Sequence, residues 1–324
     1  MRSRILGTGS CAPKRVLTNA DLERMVATSD AWIVERTGIR QRRVVAPGEA
    51  CSDLGIRAAR RALAAANIQS SELDLILVAT CTGDVPLPPT ASVVQHGLGA
   101  AKAAACDMSA ACCGFIYALS VADAFVCTGY RYVLVIGSEV MSTVTDWTDR
   151  NTCVLFGDGA GAVVVGPTEA ECGILSIHLH ADGRLSDLIH VPGGGSSLPP
   201  SEHVVAERLQ CVKMRGNETF KIAVKTMEEA IREAVAAHGF GIDDIDWLVP
   251  HQANIRILRA VGQRIGLPPE RIVINVDRFG NTSAASIPLA LDEAVRNGAI
   301  QPGQVVVMAA FGAGLTWASG VIRW

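Results

Sequence analysis

Short runs of apolar, β-branched residues recur along the chain, separated by segments of helical spacing, and this alternation limits the fold more than any other feature. Residues 73–79 (LDLILVA), 132–136, 245–249 and 305–308 are too short for buried helices and nearly free of polar positions. Each reads as a strand covered on both faces. Between them, residues 52–65, 227–238 and 286–296 carry apolar positions at helical spacing. The expectation is an α/β fold with helices on both sides of its sheets. With 324 residues, the chain can build one large α/β domain or two fused halves.

A faint internal duplication favours two halves. Residues 73–79 have a counterpart at 245–249, and Phe156-Gly157-Asp158-Gly159 is echoed by Phe311-Gly312-Ala313-Gly314, each leading into a final strand. The polar, turn-rich break at 166–173 (GPTEAECG) sets the expected halves at 1–170 and 171–324. Residues 192–210 form the longest loop-like stretch, either a flap over a site or a surface insertion.

Composition excludes several classes. Mean hydropathy is +0.28, yet no apolar run reaches the roughly 18 residues of a membrane span. A net charge of −3 gives no general affinity for nucleic acid. The ten cysteines lack the spacing of a small disulfide framework, and most sit in apolar runs. No signal-peptide pattern precedes the first strand, so a reducing cytoplasm is expected.

Residues 108–117 (MSAACCGFIY) place two cysteines where an apolar segment turns into a helix running from about Cys112 to Thr128-Gly129. That helix has almost no polar face and should be buried. A cysteine in its first turn would feel unpaired N–H groups and the positive end of the dipole, which favours thiolate. Alternatively, Cys112 and Cys113 are small core fillers. About 100° separates them on a helix, so at most one faces a given pocket.

A thiolate nucleophile needs a proton-transfer partner and donors for the developing oxyanion. His96, His203 and His238 lie in contexts without signature. His178 and His180 alternate on one strand face but have no matching third ligand, so no metal is expected. His251 follows a strand directly, where α/β sites assemble, although a structural histidine fits the same bend. Residues 279–286 (FGNTSAAS) follow a strand expected at 272–276 and precede a helix, in the second half where the Cys112 turn lies in the first. An ordinary N-cap also explains them. The glycines at 7–9 and 157–161 do not lead into helices, as a phosphate loop requires. A cysteine hydrolase remains a second way to use a Cys–His pair.

Six motifs, in order along the whole chain, resemble the β-ketoacyl-acyl-carrier-protein synthase III family of the thiolase-like superfamily. They are residues 29–39 (SDAWIVERTGI), 110–115 (AACCGF), 156–162 (FGDGAGA), 250–254 (PHQAN), 280–286 (GNTSAAS) and Thr316-Trp317. The resemblance implies a five-layered αβαβα fold of two pseudo-duplicated halves, a homodimer, and initiation of fatty-acid synthesis. A primer acyl-coenzyme A, acetyl above all, would acylate Cys112, and malonyl-acyl carrier protein would then be decarboxylated and condensed. A relative of secondary metabolism with another primer or extender is the alternative. Coenzyme A enters as substrate, and no cofactor is implied.

By the same resemblance, Cys112, His251 and Asn281 are catalytic, and the backbone amides of Cys112 and Ala313 form the oxyanion hole. Trp32, Arg36, Thr37, Arg150, Gly216, Asn254 and Phe156 serve the coenzyme A arm and the substrate channel. Leu87 reaches into the partner's acyl pocket, and Lys221 and Arg256 dock the acidic carrier protein. Cys113 is expected to pack. Without the resemblance, Arg36, Arg40, Arg42 and Arg43 read as a solvated basic face.

Overall fold

Each apolar run forms the expected strand, at Leu75–Ala79, Val133–Val140, Trp247–Pro250 and Val305–Gly312, in a computed structural model that describes residues 2–324. One five-stranded sheet runs in the order Arg2–Cys11, Asp158–Thr168, Val133–Val140, Leu75–Ala79, Ala104–Met108. Its first two pairings are antiparallel and its last two parallel. A four-stranded sheet, Gly173–Ala181, Thr316–Arg323, Val305–Gly312, Trp247–Pro250, repeats that order and sense: antiparallel, antiparallel, parallel.

The strand expected at 272–276 does not form. A single parallel bridge, Leu248 to Ile272, marks where a fifth strand would lie, and Val276–Phe279 is a short helix. The reason is Gln252, whose buried side chain takes over the ladder. Its Oε1 accepts the Asn275 and Val276 amides (3.0 and 3.2 Å), and its Nε2 donates to the Val273 and Pro250 carbonyls (3.0 and 2.9 Å).

Alternate residues of each central strand serve different layers. Val133 and Val135 face the helices Gly114–Cys127 and Ser286–Arg296 between the sheets, whereas Leu134 and Ile136 face Cys51–Ala66 and Thr90–Leu98 outside. Met308 and Val306 likewise face inward, and Val305 and Val307 pack against Gly216–Ala236 and Ile255–Ile265. Both faces of the central strands are therefore dry, which is why those strands read as unbroken apolar runs. The layers are αβαβα.

One expectation needs correction. Arg42 is not on a solvated face. It is fully buried, and its guanidinium donates to the Leu17 and Val154 carbonyls and to Asn19 Oδ1. Burial lowers it to about 10. Of the two readings of residues 192–210, a flap or a surface insertion, the structure fits the insertion. These residues contain the helix Glu202–Ala206, capped by Ser201, and fold back through Gly193 N–H to the Leu209 carbonyl (2.8 Å).

Candidate active site

The buried helix starts at Gly114, two residues later than expected, because a 3₁₀ turn at Ala111–Cys113 intervenes. Ala111 adopts φ 45°, a left-handed conformation that L residues enter at a cost of about 1–2 kcal/mol. This sharp entry presents Cys112 toward a cavity of about 530 Å³ and turns Cys113 inward, where its thiol donates to the Thr316 carbonyl (3.4 Å). Gly312 permits the close packing here, since a Cβ at that position would lie 2.9 Å from the Cys112 nitrogen.

At this thiol burial acts against the first-turn field. Burial pushes Cys112 up to about 12; the Ser283 hydroxyl opposes the rise and the Glu139 charge adds to it. Burial is the largest influence on this thiol and favours its protonated form.

His251 and Asn281 line the same cavity as Cys112, from the other sheet. His251 ends the strand Trp247–Pro250, its amide held by the Ala309 carbonyl (2.8 Å). Its Nδ1 lies 2.6 Å from Ser286 Oγ. That hydroxyl also accepts the Gln252 backbone amide (3.4 Å), and where it donates to Nδ1 the ring proton is on Nε2. Burial pulls the imidazole down to about 3, so it is neutral.

Asn281 is clamped by main chain. Its N–H donates to Leu155 O (2.8 Å), its carbonyl accepts Gly157 N–H (3.0 Å), and Phe156 bridges it directly. Gly157 must lack a side chain, because a Cβ there would meet the Phe279 carbonyl at 2.3 Å. Asn281 Oδ1 accepts the Ser283 amide (2.9 Å), which leaves its Nδ2 to donate.

Trp32, Arg36, Thr37, Phe156, Gly216, Lys221, Asn254 and Arg256 also line the cavity. Arg150 does not line it but lies over the Trp32 ring at 3.9 Å from the centroid, with Arg36 at 5.6 Å. Asn254 caps the helix Ile255–Ile265 and donates to the Arg36 carbonyl (3.0 Å), tying the tryptophan helix Asp30–Thr37 to the histidine segment. Ala313 follows the strand that packs on Cys112 but is not in the cavity wall. Leu87 lies outside the cavity, 83% exposed. His178 and His180 hold the two oxygens of Glu233 (3.4 and 2.8 Å), away from the cavity. Residues 192–210 contribute nothing to its wall.

Sequence reasoning missed Gln252, Ser283 and Glu139. Gln252 and Ser283 lie inside motifs it had found; Glu139, a charged residue within an apolar strand, was the available signal.

Known proteins share this arrangement. A family model described as 3-oxoacyl-[acyl-carrier-protein (ACP)] synthase III matches residues 106–183, and the model of its C-terminal part matches 235–324. The chain is 53% identical to the beta-ketoacyl-[acyl-carrier-protein] synthase III of Caldanaerobacter subterraneus subsp. tengcongensis, covering 99% of this chain and 97% of that one. It superposes on the crystal structure of 3-oxoacyl-[acyl-carrier-protein] synthase III from Aquifex aeolicus with a TM-score of 0.93 at 44% identity, covering 99% and 100%. The priming beta-ketosynthase of the R1128 polyketide biosynthetic pathway gives 0.91 at 38% identity, covering 99% and 96%.

Proposed function

Because the chain belongs to the 3-oxoacyl-[acyl-carrier-protein] synthase III family, it is an acyltransferase of the initiating condensation of fatty-acid synthesis, and we propose that Cys112, His251 and Asn281 perform that reaction through an acyl-cysteine. The observation that carries the assignment is their meeting in one cavity from three separate elements.

In the first half-reaction the Cys112 sulfur attacks the thioester of a primer acyl-coenzyme A, acetyl by preference, and coenzyme A departs. The amides of Cys112 and Ala313 hold the oxyanion. In the second, malonyl-acyl carrier protein loses carbon dioxide and charge grows on its thioester oxygen. With its proton on Nε2, His251 offers an N–H beside Asn281 Nδ2–H, and both groups are neutral, so they stabilise that charge without forming an ion pair that would hold the product. The carbanion then attacks the acyl-cysteine. No metal or cofactor enters either step.

Trp32 and Arg150 would hold the adenine between them, with Arg36 and Thr37 beside the nucleotide and Gly216 and Asn254 along the pantetheine arm into the channel passing Phe156. Lys221 and Arg256 at the same cavity would receive the acidic carrier protein. We read residues 1–170 and 171–324 as the two halves. The strand Ala104–Met108 is a sheet edge with Ala104 and Cys106 exposed, small residues that allow a second copy to pair along it. Such a homodimer would carry the exposed Leu87 toward the partner's acyl pocket. Among the described residues, no helix is long and apolar enough to cross a membrane; a cytoplasmic location fits this reading.

The likeness to a polyketide priming ketosynthase favours a second reading, a related enzyme of secondary metabolism with a different primer or extender. Intact-protein mass spectrometry with acetyl-coenzyme A, followed by malonyl-carrier protein, tests the first. The expected result is an acetyl adduct on wild type that is absent in Cys112→Ser, and an acetoacetyl product. An adduct that forms only with another primer supports the second reading.

A further inference from the structure

Arg42 is a fully buried cation for which the chemistry described so far has no use. It lies in the short strand Gln41–Val44, which pairs with Arg15–Thr18. Its guanidinium meets only neutral oxygens. Nη1 donates to Asn19 Oδ1 (2.9 Å) and to the Leu17 carbonyl (3.3 Å), and Nη2 donates to the Val154 carbonyl (2.8 Å). None of these bonds goes to a carboxylate, and the Nε–H has no partner at all. A buried charge without a counter-ion and an idle buried donor both cost stability, so packing alone does not account for this residue.

Two of its three acceptors lead to the active site. Val154 lines the cavity and opens the segment that brackets Asn281 through the Leu155 carbonyl and the Gly157 amide. The arginine stem is the floor under this bracket. A Cβ on Gly157 would lie 3.0 Å from Arg42 Cβ, and one on Gly280, the residue before Asn281, would lie 3.3 Å from it. The other arm runs through Asn19, which is also buried. Its Nδ2 donates to Asp30 Oδ1 and to the Ile39 carbonyl, both at 2.8 Å. Asp30 opens the helix that brings Trp32, Arg36 and Thr37 to the cavity, and Ile39 lies just past its end.

On the reading that Asn281 serves decarboxylation, we propose that Arg42 is the positioning residue for Asn281: its fork fixes the 154–157 segment against the Trp32 helix, and so sets the depth at which Asn281 Nδ2 meets the malonyl thioester oxygen. The residue type suits the task. A planar guanidinium donates in several fixed directions, whereas an ammonium is a compact point charge on a flexible stem. A glutamine has two N–H donors on one nitrogen and cannot serve three oxygens in separate segments. Bonds from an ionised donor are also the stronger kind, which keeps the Val154 carbonyl in place while substrates enter and leave beside it. Cys112 is presented by the Ala111–Cys113 turn, which makes none of these bonds. The proposal therefore separates the two half-reactions.

The test is a double-mutant cycle on the full-length enzyme, with the half-reactions measured apart. One measurement is the burst of coenzyme A released from saturating acetyl-coenzyme A. The other is single-turnover decarboxylation of malonyl-carrier protein by the isolated acetyl-enzyme. Arg42→Lys keeps the charge and loses the fork. It should slow decarboxylation on the order of tenfold and leave acetylation within about twofold of wild type. In an Asn281→Ala background the same substitution should cost less than about twofold more, because the group it positions is gone. Asn19→Ala, which keeps the guanidinium and removes one acceptor, should repeat the pattern at smaller size, and it carries the cycle should Arg42→Lys not fold. Equal factors in the two backgrounds, equal slowing of both half-reactions, or wild-type decarboxylation in folded Arg42→Lys overturns the proposal. If neither variant folds, the guanidinium serves the fold as a whole and the proposal falls. If Asn281→Ala alone decarboxylates at the wild-type rate, the reading of the active site fails instead.

Discussion

Ala111 and Ser283 occupy corresponding places in the two halves, and both are L residues in the left-handed region, at φ 45° and 48°. Each opens a three-residue 3₁₀ turn, Ala111–Cys113 or Ser283–Ala285, and each turn runs straight into a central helix. The turns touch, since a Cβ on Gly114 would lie 3.4 Å from the Ala284 methyl. The duplication therefore reaches the backbone strain around the nucleophile. Glycine removes strain at such a position but loses unfolded-state restriction worth about 0.5–1 kcal/mol. Ala111→Gly should accordingly leave stability unchanged or raise it by up to about 1 kcal/mol. A loss of more than about 1 kcal/mol in urea unfolding would contradict this account of the turn.

A resting thiol at Cys112 has a kinetic signature. With burial holding it at about 12, roughly one molecule in 10⁵ is thiolate at pH 7. Alkylation by iodoacetamide, followed as loss of acetyl-enzyme formation, should be slow at neutral pH and rise about tenfold per pH unit through pH 9. A plateau below pH 8 would mean that the turn ionises the sulfur after all.

His251 should make the fold acid-sensitive. Its imidazole is held near 3, against about 6.5 in the unfolded chain, so between these values the unfolded state binds the proton and the native state does not. The stabilisation is complete above about pH 6.5 and declines as pH falls toward 3, by about 1.4 kcal/mol per unit at most. His251→Gln should flatten that slope relative to wild type in urea titrations run from pH 7 to pH 4. Parallel slopes in the two proteins would show that the histidine protonates freely in the native state.

The sequence-derived layers proved accurate because the central strands are dry on both faces, and continuous apolar runs such as 305–308 have few other uses. Helix ends were less legible. The start at Gly114 depends on Ala111 entering a conformation that alanine's own preference disfavours, in a turn packed closely against Gly312. The dipole argument for a thiolate considered the local field and left out desolvation, which burial makes the largest influence on this thiol. Arg42 was unreadable for a related reason. In a run of arginines nothing local marks the one whose guanidinium meets three oxygen acceptors from distant segments.

The absent fifth strand of the second sheet yields the sharpest structural prediction. Gln252 replaces a strand ladder with one side chain, pairing two carbonyls and two amides between Pro250 and Val276. All are buried, so removing the side chain leaves several of them unpaired, at about 1–3 kcal/mol each before relaxation. Gln252→Leu should lose on the order of 2–4 kcal/mol in urea unfolding. Gln252→Glu should fare no better, because a carboxylate oxygen would then face the Pro250 and Val273 carbonyls. The damage should be chemical as well as structural. The backbone N–H of Gln252 donates to Ser286 Oγ, which contacts His251, and its side chain braces the segment that leads to Asn281, so a displaced residue 252 disturbs both. Decarboxylation of the malonyl group should therefore fall more than acetylation of Cys112, which relies on the opposite sheet. Equal losses in the two half-reactions would mean that Gln252 supports the fold in general and not the histidine and asparagine in particular.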